Sequence, residues 1–206
     1  MLDINWIDIT LIASALPSLI IMLGVAYRAN SLSNLFFGLA IFSFLIGLTL
    51  GYFSQIDADL VREWGDLISI TLVLCGLFVK IRNSKPVFAR FPIAMTMLPL
   101  IGIFFYPMII DAEVVKDLLT ITYQGGAIIV ACLVVSINHI IYKQRSLLII
   151  ACLVFLFSYV GYWFIDIPEF EQFKSLSVIM MGIGMFIGAI GLRKVSKLKI
   201  NNLQEG

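Results

Sequence analysis

Residues 50–64 read LGYFSQIDADLVREW. The stretch leaves one long apolar run, gathers aromatics and acids, and enters a second run. A segment needs about 20 predominantly apolar residues to cross a bilayer as a helix, and the run on its left, 34–53, has that length. Followed outward in both directions, the pattern recurs. Seven apolar runs lie near residues 8–27, 34–53, 65–81, 91–110, 118–140, 147–165 and 175–192, taken here as spans 1 to 7. The connections between them are short, and the polar tail from Arg193 to Gly206 is the longest piece outside them.

Composition agrees with this reading. Of 206 residues, 61% are hydrophobic and 13% are charged, against about 25% charged in a soluble domain. The mean hydropathy is +1.03. The expected fold class is an all-α integral membrane protein, with residues 1–206 forming a single seven-helix transmembrane domain. The opening MLDINWIDIT has no basic n-region. It is therefore expected to be no cleavable signal peptide, and span 1 to stay in place. Cys75, Cys132 and Cys152 all fall inside apolar runs. They read as small apolar packers, not as a disulfide framework or a metal set.

The charges sort by connection. Asp57, Asp59, Glu63 and Asp66 follow span 2, whereas Lys80, Arg82, Lys85 and Arg90 follow span 3. Asp111, Glu113 and Asp117 follow span 4, and Lys143 and Arg145 follow span 5. Asp166, Glu169 and Glu171 follow span 6, and Arg193, Lys194, Lys197 and Lys199 follow span 7. Of 14 basic residues only Arg62, Lys116 and Lys174 break the pattern, and of 13 acidic ones only Glu205 does. Lys and Arg mark the cytoplasmic side because they resist translocation. The N-terminus is therefore expected outside and the C-terminus in the cytoplasm. The compact build without an N-x-S/T sequon fits a bacterial inner membrane.

A second copy of the opening stretch lies at 160–173, VGYWFIDIPEFEQF. Gly51-Tyr52 matches Gly161-Tyr162, and Asp57 and Asp166 follow at six and five residues. From Asp8 to Gly51 is 43 residues, and from Asp117 to Gly161 is 44. This spacing suggests a 3+1+3 parallel repeat, with units at 7–82 and 117–194 joined by a linker helix at 91–110. The two stretches would be the same corner of each unit, related by an axis along the membrane normal. The aromatics there also suit an ordinary interfacial belt.

This plan resembles that of the sugar-transporting SWEET and wider PQ-loop families. The resemblance covers the plan alone. Pro17-Ser18 stands where a Pro-Gln pair would be wanted, and span 5 holds no proline. No binding residue carries over. A retinal Schiff-base protein is disfavoured, because the basic residues of span 7 sit only at its ends.

Some features suggest sites. Span 3 offers only 13 residues between Asp66 and Lys80. That is roughly 20 Å at 1.5 Å per residue, short of a hydrocarbon core of about 30 Å. Either the bilayer thins there or Asp66 lies partly inside it, paired with Arg62 one helical turn away. Span 5 opens TITYQGGA, where Thr120, Thr122, Tyr123 and Gln124 precede a Gly125-Gly126 weak point. In FFYPMIID, Pro107 bends the chain between Tyr106 and Asp111. Gly47 and Gly51 in span 2, and Gly184 and Gly188 in span 7, have the spacing that lets helices approach closely. They would serve packing within the bundle or a seam between two copies.

His139 is the only histidine and reads as an interfacial side chain. No HExxH, GxSxG, Walker or CxxCH signature is present, so no enzyme and no cofactor is expected. A lipid-active intramembrane enzyme would need converging groups at one depth, for which Asp66 alone is a candidate. Two readings stay open. One is a permease or carrier with an outward aromatic and acidic vestibule, its ligand met by Tyr52, Asp66, Tyr106, Asp111, Tyr123, Gln124 and Tyr162. The other is an accessory subunit or seven-helix sensor acting through a partner, docked on a basic rim that includes Lys80, Arg82 and Arg90. Membrane lipid, a small molecule or ion, and a second copy or another membrane protein are the expected partners. Nucleic acid is not among them.

Overall fold

The computed structural model describes residues 6–53, 58–84, 86–141, 146–163 and 171–204, and every element in them is helical. In chain order these are α1 (Trp6–Ala29), α2 (Leu32–Phe53), α3 (Ala58–Arg82), the short α4 (Pro86–Ala89), a 3₁₀ helix (Ile93–Leu100), α5 (Ile101–Phe105) and a second 3₁₀ helix (Tyr106–Met108). Then follow α6 (Glu113–Ile141), α7 (Ser146–Trp163) and α8 (Glu171–Gln204). Five segments are long and apolar enough to cross a membrane: Trp6–Ala29, Leu32–Gly51, Ala58–Arg82, Glu113–Ser136 and Ser175–Ser196. Ile93–Met108 and Leu147–Trp163 are shorter apolar helical segments. The described elements are all helical, with the long apolar segments of an integral membrane protein.

Two of these elements differ from expectation. Span 3 is not short: α3 begins at Ala58 and runs for 25 residues. Its first turns are charged, which lowers their hydropathy, yet Asp59, Arg62, Glu63 and Asp66 recur at i, i+3, i+4 and i+7 and share one face. Span 4 is not one regular helix. Pro99 and Pro107 each lack a backbone N–H and sit inside it, so the segment runs as 3₁₀, α and 3₁₀ in turn. The Gly125-Gly126 pair, by contrast, does not interrupt α6.

The chain divides into two compact units, Met1–Ser31 with Val135–Gly206, and Leu32–Val134. Within the first of these, α1 packs on α8. In the first unit α1 and α8 run parallel: Gly182 meets Leu11 and Ser14 at one end, and Arg28 and Arg193 line one groove at the other. Antiparallel to α8, α7 packs its Val154, Ala151 and Leu148 against Gly184, Gly188 and Gly191. The Ser158 hydroxyl donates to the Ser177 carbonyl across that seam at 2.6 Å. The glycines of span 7 thus serve contacts inside this unit. α1 ends at Asn30, the one non-glycine residue with positive φ (42°) among those described. Asn tolerates that conformation, and Ser31 N–H then reaches back to the Ala26 carbonyl, the closing bond of a Schellman cap.

In the second unit α2 and α3 cross where Gly47 meets Gly65. A Cβ on Gly47 would stand 2.7 Å from the Gly65 Cα, and one on Gly65 would stand 2.6 Å from the Gly47 Cα. Backbones this close gain dispersion contact that no larger residue allows. Further along, Gly76 faces the Phe37 ring, and a core forms from Phe36, Cys75 and Val79 with Met97 and Leu100. Leu74 and Leu77 pack on Ala127 and Val134 of α6. Cys75 is fully buried, and all three cysteines are free.

Candidate functional site

The charged stripe of α3 is the centre of the best-formed polar arrangement in the described residues. Glu63 points from it toward two partners that arrive from distant parts of the sequence. Tyr106, at the start of the second 3₁₀ helix, donates its hydroxyl to Glu63 Oε2 at 2.6 Å. Lys116, in the first turn of α6, donates to Oε2 at 2.8 Å and to Oε1 at 3.1 Å. Tyr106 is 2% exposed, so its hydroxyl has given up water and depends on the carboxylate. Side-chain exposure is 15% for Lys116 and 42% for Glu63, which leaves the carboxylate open on one side. Trp64, the next residue, sets its ring edge-on to Tyr106 with centroids 4.8 Å apart and planes at 77°.

Trp64 also lines a groove between α2 and α3. The groove encloses about 380 Å³ and its walls are mostly apolar, among them Ile46, Leu50, Leu60 and Ile68. Gly47 and Gly65, whose backbones meet, are among its lining residues. Its volume falls within the range of about 300–1,000 Å³ common for small-molecule sites. One indole therefore touches both the groove and the ionic cluster. Asp66, next to Gly65, is exposed, and the charges of Arg62 and Glu63 act on it.

The seven residues expected to bind a ligand fall in different places. Tyr106 lies in the ionic cluster, and Asp66 shares the α3 stripe with it. Tyr123 is half-buried, and its hydroxyl donates to the Pro99 carbonyl at 3.0 Å, so it docks the broken span-4 segment. Gly102 sits directly against the Tyr123 hydroxyl. Gln124 is half-buried on α6 and has an interaction partner. Thr120 and Thr122 bond to the Lys116 and Leu118 carbonyls of their own helix. Asp111 lies exposed in the turn before α6, apart from the buried Tyr106. Tyr162, on α7 of the other unit, stacks edge-on with Trp163 at 5.0 Å. The side chains of Tyr52 and His139, and all of Asp57 and Asp166, lie outside the described residues.

Glu63 and Lys116 belong to the site although sequence reasoning placed neither there. A signal existed: Lys116 was one of three basic residues, with Arg62 and Lys174, out of place in the acidic connections, and a cation so misplaced is expected to have a partner nearby. At the opposite end of α3, two members of the expected basic rim have structural roles. The Arg82 guanidinium donates to the Phe91 carbonyl at 2.8 Å, and Lys80 Nζ lies 5.5 Å from the Phe37 ring centroid. Compared with known protein families, curated proteins and solved structures, the chain matches none. The class that fold and site define is a polytopic α-helical membrane protein with an ionic cluster on its membrane-spanning helices.

Proposed function

We propose that the chain is a small seven-span carrier, its N-terminus outside and its C-terminus in the cytoplasm of a bacterial inner membrane. Its substrate, a small molecule or ion, enters at the end of the second unit marked by Glu63. The observation that carries this reading is the Tyr106–Glu63–Lys116 cluster, which joins a proline-broken segment to two spanning helices. At 25 residues α3 rises about 37 Å, some 7 Å more than the hydrocarbon core. With that overhang shared between its ends, Glu63 lies just under one turn and Asp66 about one and a half turns inside the apolar layer. Ionisable groups at such depth are costly and mark pathways by default. Broken helices beside them are where carriers bind substrate and change access. In this reading Lys116 and Tyr106 hold Glu63 as a latch. Substrate entry competes for the carboxylate and frees the 93–108 segment to move.

The test is uptake by purified protein in proteoliposomes, screened against pools of amino acids, sugars, nucleosides, polyamines and inorganic ions. Uptake of one pool is expected, and Glu63→Gln is expected to abolish it in a protein that still elutes as a folded species. Background uptake of every pool overturns the reading.

A second reading, an accessory subunit or seven-helix sensor, is favoured by one observation. Thr120, Thr122 and Tyr123 have their hydroxyls satisfied inside the protein. Native mass spectrometry after gentle extraction would then recover a stoichiometric protein partner, and a lone chain or a homo-oligomer would count against it.

A further inference from the structure

The first unit carries a second groove that the carrier reading does not use. It runs between α1 and α8 at the end where both helices carry arginine, lined by Ile20, Gly24, Val25, Arg28, Arg193 and Ser196 among others. Three features set it apart from the rest of the apolar surface.

The first is charge. Arg28 and Arg193 come from opposite ends of the sequence onto one groove, both exposed. Neither guanidinium has an ion pair or hydrogen bond among the described residues. Acidic residues are absent from the groove lining, so two fixed positive charges converge with no counter-charge there. The second feature is shape. Gly24 forms part of the wall, and a Cβ placed on it would meet nothing within 4 Å. The wall is bare there, although α1 is continuous and alanine would favour the helix more. Packing does not require this glycine, but a chain lying against the wall would. The third feature is direction. From Arg28 the apolar wall descends along α1 through Gly24 to Ile20, which is 72% exposed. Eight residues of helix cover about 12 Å, close to the depth of one hydrocarbon leaflet, about 15 Å.

A pair of guanidinium groups above an apolar strip one leaflet deep matches a molecule with an anionic head and a hydrocarbon tail. The groove itself encloses about 270 Å³. That is less than a whole buried small-molecule site takes, but it suffices for one end of a longer ligand. We infer that the α1–α8 groove is a binding site for an anionic glycerophospholipid, with Arg28 and Arg193 on the phosphate and an acyl chain along Gly24 and Ile20. Arginine suits this role because its planar fork bonds phosphate oxygens in pairs. Such a lipid would clamp α1 to α8 and so tie together the two ends of the sequence. The inference needs only that the chain resides in a membrane, and it holds whether or not the protein transports.

The experiment uses the full chain in nanodiscs of phosphatidylcholine alone, or of phosphatidylcholine with phosphatidylglycerol. Thermal unfolding and native mass spectrometry are read on the same samples. The wild type is expected to unfold at a higher temperature with phosphatidylglycerol and to retain it in preference to phosphatidylcholine. Each arginine near the surface adds to anionic-lipid affinity, so Arg28→Gln/Arg193→Gln should lower retention about tenfold or more. Lys194→Gln, an exposed basic position next to Arg193 that does not line the groove, should leave it unchanged. Gly24→Leu fills the wall and keeps both charges, and it should also lower retention. This variant guards against a double variant that fails to fold. The inference is overturned if the wild type shows no preference for phosphatidylglycerol, if Lys194→Gln matters as much as the double variant, or if inorganic phosphate in solution protects equally well.

Discussion

Tyr106 and Glu63 show what a single hydrogen bond is worth at this site. The phenol is buried, so Tyr106→Phe removes a donor and leaves no stranded group on its own side. Glu63 keeps Lys116 and is partly open to water, which can replace the lost donor. Bonds to charged groups contribute about 1.5–3 kcal/mol when buried, and the exposure of Glu63 lowers the figure here to about 1 kcal/mol. A modest drop in the unfolding midpoint in detergent is expected, read by the fluorescence of Trp64 against Trp6 and Trp163. Glu63→Gln should cost more than Tyr106→Phe, because it leaves Lys116 without its counter-charge and Tyr106 with a weaker acceptor. The two substitutions should also be non-additive, as partners on one carboxylate are. Equal and additive effects would show that the cluster does not act as a unit. The sequence could not foretell this arrangement, since Tyr106 and Lys116 lie 43 and 53 residues from Glu63. Only the misplaced sign of Lys116 hinted that a partner was near.

At the scale of elements, glycines discriminate between packing and slack. Gly65→Ala or Gly47→Ala inserts a methyl between two backbones that cannot yield like a flexible side chain. Overpacking of this kind costs about 1–3 kcal/mol, and each variant should lower stability or part α2 from α3. Gly126→Ala should do the opposite. Nothing lies within 4 Å of its would-be Cβ, and alanine within a helix gains about 0.5–1 kcal/mol over glycine. Thermal melts of the three variants side by side check the contrast, and a destabilising Gly126→Ala would mean that an occupant touches it. These same elements mark where local sequence signals stop. The spacing of Gly47 and Gly51 was readable, but Gly65, placed at the very start of span 3 by hydropathy, gave no sign of a crossing. The start of α3 was missed for the same reason. Hydropathy averages over all faces of a helix, whereas Asp59, Arg62, Glu63 and Asp66 charge only one. In span 4 the apolar run was legible, but its 3₁₀ character depends on Pro99 as well as on Pro107.

For the whole molecule, the decisive question is whether the two shorter apolar segments cross. Length alone does not decide it. Ile93–Met108 contains 3₁₀ turns that rise about 2 Å per residue against 1.5 Å in an α-helix, so it reaches further than its residue count suggests. Within each unit the charges separate along the helices. Asp59, Glu113 and Asp117 lie at the opposite end of the second unit from Arg82, and Asp8 lies at the opposite end of α1 from Arg28. If all seven segments cross, basic ends face the cytoplasm throughout and acidic ends face outward. Single cysteines placed at Asn83, Asp111, Gln144 and Glu169, in a chain whose Cys75, Cys132 and Cys152 are replaced by alanine, test each crossing. A membrane-impermeant maleimide on intact cells should label Asp111→Cys and Glu169→Cys. Asn83→Cys and Gln144→Cys should react only after permeabilisation. Labelling of Asn83→Cys and Asp111→Cys from the same side would take Ile93–Met108 out of the spanning set. The same result for Gln144→Cys and Glu169→Cys would remove Leu147–Trp163. Either loss puts a basic and an acidic connection on the same side and reverses every connection after them, so the charge alternation itself would then be broken. That alternation spans nearly every connection in the chain, and it is the reason to expect all four positions to label as a seven-span protein requires.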